Sequence, residues 1–95
     1  MTILKIEPNK KPYPKEVKND LKSLQAEVGG YLESITLFDN LVLICNEEGK
    51  LRKLPPNRQL GNDIIAGDFF LVGTKNCDFI SLTPAQIAEL TILFS

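Results

Sequence analysis

Lys50, Arg52, Lys53 and Arg58 fall within one short interval, "EEGKLRKLPPNRQLGND", residues 47–63, and no acid interrupts them. A guanidinium fork stiffened by Pro55 and Pro56, with the Asn57 amide beside it, has the geometry to hold a phosphate or a partner's carboxylate. Tyr13 or Tyr31 would then supply a ring on which a base could stack. A structural reading stands beside this one. Arg52 and Lys53 could be solvated on an edge strand, where charge discourages pairing, while Arg58 and Asn57 pin a loop to the sheet. The residue types leave both open.

Other chemistry is scarce. The 95 residues include no histidine, which removes Ser/His/Asp and Cys/His relays and His-ligated zinc. Asp68 beside Gly67, and the Glu47–Glu48 pair, read more simply as a bulge residue and an exposed turn than as acids or bases. Cys45 and Cys77 form no CxxC pair and are expected to stay thiols, Cys77 among polar neighbours without a general base. No catalytic residue, metal ligand or cofactor is therefore assigned, and the expectation is a protein that is not an enzyme.

The elements that would position the basic segment can be read from periodicity. "TILKIE" is a first strand, ended by the proline-punctuated "PNKKPYP". Val17, Leu21, Leu24 and Val28 form one helical stripe, so a helix is predicted from Lys15 to Val28, with Pro14 at its first position and Gly29 or Gly30 at its stop. "YLESITLFDNLVLICNEEGK" predicts a hairpin turning at Asp39 and Asn40, its second run buried on both faces as a central strand. Pro55 and Pro56 take the chain out of the sheet, and Arg58 to Asp63 reads as a connector. "DIIAGDFFLVGT" predicts two short strands joined at Gly67, or one strand with a bulge. Thr83, Pro84 and Gln86 form a capping box that opens a helix from Pro84 to Phe94. Its wide apolar surface implies deep docking or an oligomer contact such as a homodimer.

Composition bounds the rest. With 43 % hydrophobic residues, 24 % charged residues and a net charge of −1, the chain is an ordinary globular one, sized for a single domain. No apolar run is long enough to cross a bilayer and no signal-like segment follows Met1, so no membrane association and a cytoplasmic location are expected. Charge is segregated. Lys10, Lys11, Lys15, Lys18 and Lys22 lie early, and beyond Arg58 only Lys75 is basic against Asp63, Asp68, Asp78 and Glu89. Without a basic balance, a tryptophan or a recognition motif, direct nucleic-acid binding is disfavoured. The predicted architecture is α+β, a small antiparallel sheet of about four to six strands packed by two helices in one domain.

"SLQAEVGGYLESI", "ICNEEGKLRKLPPNR", "DIIAGDFFLVG" and "DFISLT" together resemble the uncharacterised family called domain of unknown function 3846 across nearly the whole chain. The resemblance implies a small protein of bacterial genomes, frequently of phages, plasmids and integrative elements, and carries over no activity. The Arg58–Asp63 connector is shorter than the resemblance leads one to expect. The expected function is stoichiometric, non-enzymatic binding to a host protein, as in a counter-defence inhibitor, or else capture of a small anionic ligand such as a nucleotide.

Overall fold

Ile3, Leu4 and Ile6 alternate poorly for a half-exposed strand because both sides of β1 (Thr2–Ile6) are covered, and even Lys5 between them is buried. A computed structural model describes residues 1–95. β1 pairs antiparallel with β2 (Tyr13–Glu16), which corrects the expected start of the first helix. Met1 and Val17 exchange backbone hydrogen bonds at the end of this pair. Antiparallel alternation then turns the nitrogen of Pro14 to the outer edge, where its missing N–H costs no ladder bond.

The helix begins later, as α1 (Leu21–Val28), because Asp20 is the better cap: its carboxylate accepts from the Ser23 N–H at 2.7 Å. Gly29, with φ of +77°, ends it in the left-handed conformation. Only Leu24 and Val28 of the predicted stripe are fully buried on α1; Val17 joins them from the preceding loop and Leu21 is exposed.

The Asp39–Asn40 turn joins β3 (Leu32–Phe38) to β4 (Leu41–Asn46), and all six β4 residues are buried. Residues 47–53 then coil through turns, with Arg52 N–H bonded to Glu48 O at 2.9 Å and Lys53 at φ +55°. Arg52 and Lys53 therefore lie on no strand. The predicted connector is also corrected, because β5 (Pro56–Leu60) and β6 (Asp63–Ala66) form a second hairpin closed by Gly61 and Asn62. Gly67, at φ +82°, separates β6 from β7 (Phe69–Lys75), which settles the two-strand alternative. β8 (Asp78–Ile80) and α2 (Pro84–Leu93) complete the chain, α2 opened by the predicted Thr83–Gln86 capping box.

One six-stranded antiparallel sheet runs β2-β1-β7-β4-β3, with β8 also paired to β7; β5 and β6 form a separate two-stranded sheet. The architecture is the α+β domain expected, with the helices on opposite faces. Ile3, Val42, Ile44, Phe70 and Val72 pack against α1. Leu4, Leu43, Phe69 and Leu71 pack against α2 and the β5–β6 hairpin.

Candidate functional site

Three of the four cations in the 47–63 segment, Lys50, Arg52 and Arg58, are aimed at a carbonyl or an acid. Arg58 on β5 donates through Nε to Phe94 O at 2.7 Å, through Nη2 to Lys10 O at 2.5 Å, and through Nη1 to Asn57 Oδ1 at 2.8 Å. Asn57 donates in turn to Ile6 O at 2.9 Å and Gly67 O at 2.8 Å. Arg52 Nη1 reaches Gly29 O at 2.9 Å, and Lys50 is ion-paired with Asp63. Lys53 is exposed. The Tyr13 hydroxyl donates to the Glu7 carboxylate, and that bond, followed by burial, pushes its pKa up to about 12. Tyr31 is 66 % exposed.

The candidate residues are thus dispersed: Lys50 stands at the β5–β6 hairpin, Arg52 behind α1 and Arg58 at the end of α2. Arg58 does meet part of the amino-terminal lysine group. With Asn9, Lys10, Lys11 and Ser95 it lines an open depression of about 420 Å³. Lys15, by contrast, is bonded to Glu27 at 3.0 Å.

A second polar cluster was not legible in the sequence. Lys5 Nζ lies 2.8 Å from Glu27 Oε1, 2.8 Å from Glu27 O and 3.6 Å from Asp68 Oδ2. Burial raises the Glu27 pKa, but the hydrogen bonds and charges of Lys5 and Lys15 outweigh it and hold the carboxyl below its ordinary value. Asn46 Nδ2 bonds Val28 O at 3.1 Å. Lys5, Asn46 and Arg52 therefore donate to the successive carbonyls of residues 27, 28 and 29, which would otherwise be unsatisfied at the end of α1. The only signal in sequence was a lysine inside an apolar strand, beside which no partner could be named.

Cys45 faces Glu33 at 3.7 Å in a cleft of about 270 Å³ between β3, β4 and β6. Burial first, then the Glu33 charge, pushes its thiol up to about 11, which disfavours the thiolate at neutral pH. Cys45 and Cys77 are both free thiols. No group of three or more His, Cys, Asp or Glu side chains converges as a metal set, and no helix is long and apolar enough to cross a membrane.

The remaining unsatisfied chemistry is on the backbone. β3 closes one side of the six-stranded sheet. Glu47 N–H bonds Tyr31 O at 2.9 Å, and the register continues as Glu33↔Cys45 and Ile35↔Leu43. By antiparallel alternation, Leu32, Ser34 and Thr36 turn their N–H and C=O groups away from β4. No side chain and no other strand bonds these groups. On α2 the buried side is Leu90 with Phe94 just beyond, while Ile92 and Leu93 face outward at 79 and 68 % exposure.

These features define a class: a small α+β domain with a two-faced antiparallel sheet, three of the four cations of its basic segment bonded within the fold and one sheet edge open. The family model described as domain of unknown function (DUF3846) matches residues 1–95, the whole chain, and the chain belongs to that family. No curated protein and no solved structure matches it.

Proposed function

We propose that this protein acts by stoichiometric binding of a protein partner, without catalysis, using the open edge of β3. The observation that carries this reading is the row of outward N–H and C=O groups at Leu32, Ser34 and Thr36. Such an edge is a template for an added strand, and the backbone bonds formed there give affinity without any catalytic group. The opposite edge is better protected: β2 is four residues long and carries Pro14, Lys15 and Glu16. In the bacterial, phage and mobile-element setting that the resemblance implies, the partner is a host protein, and inhibition of a defence component is the corresponding role.

Proline at position 34 tests it, because that N–H bonds nothing within the chain. Protein immobilised as wild type and as Ser34→Pro is exposed to the same host lysate, and bound complexes are weighed by native mass spectrometry. The reading expects an equimolar protein complex with the wild type that is lost with Ser34→Pro while the variant's melting temperature is largely kept. A partner retained equally by the variant overturns β3 as the docking strand.

A second reading, capture of a small anion, is supported by the depression formed by Asn9, Lys10, Lys11, Arg58 and Ser95. The Arg58 donors are mostly occupied by carbonyls, so the exposed lysines would supply most of the attraction. Binding of that kind weakens steeply with salt. Titration with inorganic phosphate and a nucleoside triphosphate at two ionic strengths, read at the Lys10 and Lys11 amides, decides it.

A further inference from the structure

We infer that the strand taken up by β3 is an extended segment of a foreign protein that presents apolar and basic side chains together on one face, at every second residue. The inference rests on the edge-docking reading above and names the chemistry of its partner. A strand added beside Leu32–Phe38 places alternate side chains over the α2 face of the sheet. Two hollows flank β3 on that face. One, about 270 Å³, has Ile35, Leu51 and Ile64 among its walls; the other, about 170 Å³, is formed with Phe38, Leu41 and Leu90. These are seats for apolar side chains, and Leu51 and Phe38 are already exposed at 83 and 64 %.

The rims are acidic. Glu33, Glu47 and Asp63 border the first hollow, and Glu89 borders the second. The sole base at either rim is Lys50, which is committed to Asp63. An incoming strand whose α2-facing residues, spaced two apart, are apolar in the middle and lysine or arginine at the ends meets opposite charge at both ends, whereas one with acids at those positions meets like charge.

The same charges argue against a second copy of this chain. Antiparallel pairing of β3 with itself about Ile35 brings the Glu33 end of each copy toward the Glu89 end of the other. Acid then faces acid at both ends.

Two synthetic seven-residue peptides, with valine at positions 3 and 5, serine at the even positions and either lysine or glutamate at positions 1 and 7, test the inference with the isotope-labelled full chain. Amide shifts and hydrogen exchange are followed at Leu32, Ser34 and Thr36. The lysine peptide is expected to slow exchange at those three amides and to bind about tenfold more tightly than the glutamate peptide, as two or three cross-strand charge pairs would produce. Ser34→Pro should abolish the effect, and the double variant Glu33→Lys, Glu47→Lys, whose fold is checked by circular dichroism, should reverse the preference. Equal binding of both peptides, or binding that leaves β3 unperturbed, overturns the basic-strand chemistry. So does a dimer with protected β3 amides in the absence of peptide, which would make a second copy the occupant. In each of these cases the edge-docking reading itself stands or falls separately, on whether Ser34→Pro loses the lysate partner.

Discussion

Arg58 meets oxygen at every bond it makes, and none of those oxygens is a carboxylate. Its guanidinium ties its own neighbour Asn57 to two places that are distant in the chain, the end of α2 at Phe94 and the first loop at Lys10. A charged donor aimed at carbonyls near a helix C-terminus is stabilising, both by hydrogen bonding and by the helix dipole. Removing it strands acceptors that are partly shielded from water. Arg58→Ala is expected to lose about 2 kcal/mol of stability in urea denaturation, the scale of one charge-assisted bond plus one unsatisfied partner. Arg58→Lys should recover little of it, since one ammonium cannot span three directions. A variant as stable as the wild type would return Arg58 to the ligand reading. The two readings of this residue could not be separated from sequence, because the deciding atoms are main-chain oxygens whose positions no residue type encodes.

The element that most depends on long-range polar contacts is α1. Eight residues are too few for a helix to persist by its own hydrogen bonds, so its ends and its one buried side must be fixed from outside. Asp20 supplies the start; Lys5, Asn46 and Arg52 secure the end; Leu24 and Val28 bury the side. The pH dependence follows from Glu27, which binds both Lys5 and Lys15. Its folded pKa lies below the ordinary 4.5, so its contribution is fully present above pH 4.5 and is lost as pH falls through the depressed folded value. Acid titration of stability should therefore show a decline below pH 4.5 that is shallower in Glu27→Gln, with the variant also less stable at neutral pH. Equal slopes in the two proteins would remove Glu27 from the account. The Thr83 capping box was legible because all of its chemistry is local. The start of α1 was misplaced because Val17, Leu21, Leu24 and Val28 fall on a helical stripe by spacing alone. Strand β2 exists only because β1 lies beside it. Lys5, similarly, is explained by partners 22 and 63 positions away, at Glu27 and Asp68.

Across the whole molecule, the two hydrophobic clusters lie on opposite faces of one sheet and share its central strand. Successive β7 residues serve them in turn: Phe69 and Leu71 face α2, Phe70 and Val72 face α1, and all four are fully buried. Neither cluster can loosen without moving the backbone that carries the other. The β4–β7 ladder, with Leu43↔Leu71 and Ile44↔Phe70 in adjacent register, ties the faces together a second time. Leu71→Ala on one face and Ile44→Ala on the other should each cost about 2–5 kcal/mol, a large part of the roughly 5–15 kcal/mol that holds a domain folded. Each change should lower the denaturation midpoint of both faces together, since the sheet transmits the loss. The check is urea unfolding followed by side-chain NMR signals of Leu24 and Val28 on one side and Leu90 and Phe94 on the other. Coincident midpoints in the wild type and both variants are expected. If Leu71→Ala melts the α2 side while the Leu24 and Val28 signals stay native, the clusters are independent and β7 is a partition between two cores instead of their common spine.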